Sequence, residues 1–162
     1  PACLRVLDPV LDSDNVLLPE GLRKAAILSS TGPILPSASS SHSLPSQLFG
    51  PEPAHGWCYY FERADLARQQ GDCEKVVALG EQAFQIGDYP NDPSERIPFI
   101  EGYAHTGDWQ RARKQTQAAL AVTPAMQPSL CRLWDRIARS LPASTGQQEN
   151  VGRIQIELNC NR

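Results

Sequence analysis

Two glycine–aspartate turns recur in this chain, and nothing else in it restricts the fold as strongly. Gly71-Asp72-Cys73 and Gly107-Asp108-Trp109 lie 36 residues apart, each between two stretches of helical pattern. A turn repeated at that period predicts tandem helix–turn–helix units, which bury their apolar faces by stacking on one another.

The first unit reads as a helix over 57–70, the Gly71-Asp72 turn, and a return helix over 73–86. Val76, Leu79, Ala83 and Ile86 make a buried stripe on the return helix. The second unit opens at Asp92-Pro93-Ser94-Glu95, with Asp as N-cap, Pro at the first helical position and Glu placed to complete a capping box. Ile97, Phe99, Ile100, Tyr103 and Ala104 form its apolar side. Pro98 removes a helical hydrogen bond, so this helix is expected to kink there or to begin late. The chain returns over 109–122 with Ala112, Ala119 and Leu120 inward, and Thr123-Pro124 stops it. A last helix over 127–141, with Leu130, Leu133, Trp134, Ile137 and Leu141 as its stripe, reads as a capping helix over the end of the stack. Trp57, Trp109 and Trp134 read as core.

The flanks differ in composition. Residues 1–53 are rich in Pro and Ser, with a short strand at 3–7 stopped by Asp8-Pro9, a short helix within 19–28, and a serine run at 37–43 read as a flexible loop. Ser41 and His42 in that run are not held in catalytic geometry. Residues 142–162 form a polar loop and then alternate. Ile154, Ile156 and Leu158 point one way and Arg153, Gln155, Glu157 and Asn159 the other, the period of a half-buried strand. Its natural partner is the strand at 3–7, giving a two-stranded ribbon on the stack. The expected architecture is mainly α, divided into 1–53, 54–141 and 142–162.

Apolar residues make up 41 % of the 162, enough for a core, and the net charge is -3 with Lys and Arg scattered among carboxylates. Nucleic acid is not an expected partner. No apolar run approaches the roughly 18 residues that span a bilayer. With Pro1 first and no signal segment, the sequence is expected to be a soluble piece of a longer or processed protein. The five cysteines show no C-x-x-C and the three histidines no ligand spacing, so neither a metal nor a cofactor is expected. Cys3 and Cys160 lie near the two ends; they either form a bridge in an oxidising compartment or remain free thiols. Strand parity puts Cys160 on the apolar face and Cys3 beside Arg5, which counts against the bridge.

The helical units resemble the tetratricopeptide repeat. The second unit carries Phe99, Ile100, Tyr103, Gly107-Asp108-Trp109, Ala112, Ala119 and Pro124 at the family's positions. The first carries Tyr60, Ala64, Ala67, Gly71-Asp72 and Ala83, but departs at Cys73, Val76 and Asp88. The spacing of 36 exceeds the family's period of about 34. The resemblance covers about 70 residues and implies a shallow concave face lined by the first helix of each pair. Its positions are Cys58, Phe61, Asp65, Arg68 and Gln69, then Ser94, Ile97, Glu101, Ala104 and His105, then Asp135 and Arg139. Phe61, Asp65, Arg68, Glu101, His105, Asp135 and Arg139 are the candidate binding residues. The set lacks the Lys, Asn and Arg cluster that clamps a C-terminal carboxylate in some members. Two units make so shallow a groove that the N-terminal segment is a candidate to lie in it and close it.

A second resemblance covers the wider chain. Residues 3–9, 57–62 and 98–105 look like the soluble C-terminal region of certain bacterial multi-pass membrane proteins, glycosyltransferase-like in outline. That resemblance implies an extracytoplasmic, membrane-tethered position and favours the Cys3–Cys160 bridge. Asp65 or Glu62 with Glu101 has the makings of a glycosidase carboxylate pair, but nothing local raises a pKa or builds a sugar cleft. The functional expectation is a non-catalytic interaction or scaffolding module with a peptide or protein partner, another part of the parent protein included. The alternative is an accessory, substrate-contacting domain of a membrane glycosyltransferase-like enzyme.

Overall fold

The computed structural model describes residues 3–13, 15–30, 45–51, 54–88, 90, 92–142 and 144–160. Its helices are α1 (Glu20–Ala25), α2 (Ser46–Phe49), α3 (Trp57–Gln69), α4 (Cys73–Ala83), α5 (Ile97–His105), α6 (Trp109–Val122), α7 (Gln127–Ser140) and α8 (Thr145–Glu157). The fold is mainly α, and no strand occurs among the described residues.

Both Gly-Asp turns work the same way. Gly71 and Gly107 take φ of 76° and 82°, the left-handed conformation that ends a helix with least strain in glycine. Asp72 and Asp108 then cap the next helix by accepting hydrogen bonds from the backbone N–H of Lys75 and Arg111, each at 3.0 Å. Helices α3 and α4 pack together across the first turn, and α5 and α6 across the second. Helix α5 also packs on α3, α4 and α7, which places it at the centre.

Pro98 does not break α5. Residues Pro93–Arg96 form a 3₁₀ turn and the α-helix begins at Ile97, so Pro98 falls in the first turn, where no helical N–H is needed. The capping box does not form. Asp92 accepts from Ser94 N–H at 2.9 Å, but the Glu95 carboxylate turns inward. It accepts from the Cys3 backbone at 2.7 Å and from the Trp57 indole at 2.8 Å.

Trp57, Phe84 and Phe99 form one aromatic cluster with centroids 5.2–5.5 Å apart. Trp57 and Trp134 are core residues as expected, while Trp109 is half-buried. Contact between α4 and α5 depends on two glycines. A Cβ at Gly102 would stand 2.6 Å from Val76 Cγ1, and one at Gly80 would stand 2.8 Å from Phe99.

The expected ribbon is absent. Residues 3–7 pair with no strand, and the alternating tail is helix α8. Val151, Ile154 and Leu158 are buried at helical spacing while Ile156 is 73 % exposed, so three of the four apolar residues obey a period near 3.6. Ser144 caps the helix by accepting from Gln147 N–H. The bridge between the termini is also overturned. Cys3 is joined to Cys58 and Cys160 to Cys131, leaving Cys73 as the free thiol. Each terminal cysteine lies against a neighbouring helix, so the termini are stapled to α3 and α7 and not to each other. The serine run at 37–43 lies outside the described residues.

Gly102→Ala is expected to destabilise the protein by about 1–3 kcal/mol, because the new methyl overlaps Val76. Urea denaturation should show that loss, and Val76→Ala in the same chain should recover part of it.

Candidate functional site

The face built by α3, α5 and α7 is covered by the chain's own N-terminal segment. The described residues of 3–18 contain no regular helix and are anchored by polar groups to α3, to α7 and to Glu95 in the turn that precedes α5. The Cys3–Cys58 bond fixes one end. Val6 C=O accepts from Gln69 Nε2 at 2.7 Å, Leu11 C=O from Arg136 at 3.3 Å, and Val16 N–H donates to Ser129 Oγ at 2.9 Å. The side chains this segment buries are Cys3, Asp12 and Asn15, while Leu4 and Val10 stay 78 % and 68 % exposed. Polar groups and a covalent bond hold it in place, with partial burial of Leu7, Leu11, Val16 and Leu18 beside them.

Beneath it lies a charged cluster centred on Arg68. Its guanidinium contacts Asp12 at 3.1 Å, Asp65 at 2.9 Å and Glu101 at 3.6 Å, with only 4 % of the side chain exposed. Arg136 from α7 makes a two-pronged contact to Glu101, at 3.2 and 3.1 Å. A guanidinium taken out of water has to be met by carboxylates or it is too costly to keep. The fold supplies them from α3, from α5 and from the N-terminal segment.

The electrostatics follow from crowding. Burial by itself would favour loss of the Arg68 proton, but Asp65, Glu101 and Asp12 outweigh it and hold the guanidinium above the ordinary arginine range. Burial is also the largest effect on Asp65 and raises its pKa; Arg68 opposes that shift, and Asp12 adds to it. The two directions are compatible, because one arginine is shared among three carboxylates and Asp65 meets it without an aligned hydrogen bond.

The candidate residues separate into two groups. Phe61, Asp65, Arg68 and Glu101 come together, but as interior groups: Phe61 is fully buried, with the Arg5 guanidinium 5.0 Å above its ring. His105 sits at the rim, with Nε2 3.3 Å from Ser140 Oγ. Asp135 is exposed and accepts from Gln155 of α8 at 2.6 Å, and Arg139 is exposed near the end of α7. Asp65 and Glu101 do approach each other, with Arg68 bonded between them. Asp12 and Arg136 escaped sequence reasoning, and Glu95 entered it only as a capping-box residue. Arg136 adjoins the apolar stripe of the last helix and was in principle findable, whereas Asp12 lies in a stretch with no period.

Two open hollows among the described residues bear on function, one beside this cluster and one between α6 and α8. The first, of about 260 Å³, is walled by Leu4, Val6, Leu66 and Gln69 beside Arg5 and Asp65. The second, of about 480 Å³, presents Trp109 with Lys114, Gln117, Asn150 and Arg153. Among the described residues no group of His, Cys, Asp or Glu is placed to hold a metal ion. None of their helices is long and apolar enough to cross a membrane.

Arg68→Met is expected to cost roughly 3–5 kcal/mol in chemical denaturation, because it strands buried carboxylates. The pH dependence tests Asp65. A carboxyl with a raised folded-state pKa contributes stability that is fully present below its ordinary value of 3.8 and is lost as pH rises through the raised value. Denaturation midpoints across that range should fall with rising pH more steeply in the native protein than in Asp65→Asn.

Comparison with protein-family models, curated proteins and solved structures gives no significant match.

Proposed function

We propose that this chain is a non-catalytic interaction and scaffolding module built from tetratricopeptide-like helical pairs, held outside the cytoplasm as the soluble part of a larger membrane-associated protein. The observation that carries the reading is the Arg68 cluster, whose charges are spent on one another and on Asp12. Such a cluster orders a face; it does not present a reactive group to a substrate. The sequence supports the repeat reading through its 36-residue recurrence, and the folded chain supports it through matched glycine turns and aspartate caps. Two disulfides in one small domain support an oxidising compartment.

In this reading the exposed rim of α7, with Asp135 and Arg139, meets a protein partner or another part of the parent chain, and His105 borders it. Phe61, Asp65, Arg68 and Glu101 shape the face from beneath. The second reading, an accessory domain of a glycosyltransferase-like enzyme, draws support from the α6–α8 hollow. There a half-buried indole adjoins the three amides of Gln110, Gln117 and Asn150 and the cations Arg113, Lys114 and Arg153, a combination suited to an anionic or phosphate-linked sugar.

Photo-crosslinking in the full-length protein in its own cell separates the two. A crosslinker at Asp135 or Arg139 is expected to give one defined protein adduct, and a crosslinker at Gln110 on α6 is expected to give none. Saccharide-lipid adducts from Gln110, with nothing from α7, would replace the first reading with the second.

A further inference from the structure

Residues 3–18 behave as a bound ligand that happens to be attached. The face holds them by groups that any peptide offers, on a path that turns at Asp8–Asp12, Asp12–Asn15 and Asn15–Leu18: Gln69, Arg136 and Ser129 engage main-chain groups, and Arg68 takes one carboxylate. Leu4 and Val10 lie outside, Leu7, Leu11, Val16 and Leu18 are half-buried, and none of these large apolar side chains is fully buried in the core. If they lift away, water reaches Arg68 and Glu101, so no charge is stranded in a dry interior and the cost of release is moderate.

Only one covalent constraint opposes that release, and one of its two cysteines is an exposed residue. Cys58 is exposed at the start of α3, while Cys3 is buried against Glu95 and Trp57. Cys131 and Cys160, the second pair, are both only partly exposed. A thiol reagent therefore meets Cys58 first.

Resting on the interaction reading above, we infer that residues 3–18 are a redox-latched ligand held in cis: reduction of the Cys3–Cys58 bond frees them, and the α3/α5/α7 face then takes a partner segment that carries a carboxylate on a turn in the position of Asp12. The reductant is a dithiol. One of its thiolates attacks Cys58 Sγ and forms a mixed disulfide, and Cys3 leaves as a thiolate that takes a proton. The second thiol of the reductant then attacks that mixed disulfide and releases Cys58 as a thiol. Two electrons pass to the protein, and the reductant ends as its own disulfide.

The test uses the full chain under graded dithiothreitol, with thiol alkylation mapped by mass spectrometry and hydrogen exchange read in parallel. The expected result is that Cys3–Cys58 opens before Cys131–Cys160, and that exchange across 3–18 then rises by about tenfold or more while α3, α5 and α7 stay protected. A labelled peptide of residues 3–18 with Cys3→Ser is expected to bind the reduced Asp12→Asn chain and not the oxidised native chain. Asp12→Asn in the peptide should weaken that binding about tenfold or more, the loss expected for a charge-assisted contact. Unchanged exchange in 3–18 after Cys3–Cys58 has opened would overturn the inference. So would loss of protection in α3 and α5 together with 3–18, or peptide binding indifferent to Asp12. Crosslinks at Asp135 and Arg139 are scored separately, so failure of the latch and failure of the interaction reading are distinguishable.

Discussion

A guanidinium placed in a protein interior forces decisions on everything around it. Arg68 is nearly inaccessible to water, and its positive charge is kept only because Asp65, Asp12 and Glu101 converge on it. Those carboxylates come from three places: the helix that bears Arg68, the neighbouring helix α5, and a segment more than fifty residues away in sequence. Arg136 then shares Glu101 and draws α7 into the same arrangement. Helix order, the path of the N-terminus and the closure of the face all meet at this cluster. Surrounding apolar packing supplies stability, as in most folds, but the cluster specifies how the N-terminal segment must lie.

That arrangement changes what a charged helical face can mean. A groove lined by mixed charges suggests an open binding surface when its residues are read one helix at a time. Here the same charges are engaged from within, and the groups left for a partner lie at the rim. The cluster still resembles a recognition site in its chemistry, because it grips main-chain carbonyls and a carboxylate in the way a peptide groove does. Its present occupant is the chain itself. Two staples, one from each terminus to a nearby helix, keep the two ends in place independently.

Much of the fold was legible. The repeated Gly-Asp pair gave both turns because glycine is tolerant of positive φ and aspartate caps the helix that follows, and both effects act within a few residues. The stripe of the last helix was readable for the same reason. The tail was misread because Ile154, Ile156 and Leu158 alternate by accident, while Val151, outside that run, carried the deciding helical spacing. Glu95 was misassigned through local logic that was sound in itself: it stands where a capping-box glutamate would, but Trp57 and the Cys3 backbone offer it two buried donors.

What the sequence determined by itself was the run of helices from α3 to α7 and the two Gly-Asp turns with their aspartate caps. These follow from interactions between residues at most a turn or two apart, and the chain writes them down in order. The expected stripe of α4 fails at Ile86, 41 % exposed past the helix end, and the expected open face of α3 and α5 is interior at Phe61, Asp65, Arg68 and Glu101. Tertiary structure alone decided which cysteines pair, that the tail is helical against α7, and that residues 3–18 cover the α3/α5/α7 face. Those outcomes depend on which groups are brought within a few ångströms by packing. Cys3 finds Cys58, and Asp12 finds Arg68, across 55 and 56 positions of sequence, with no period linking either pair.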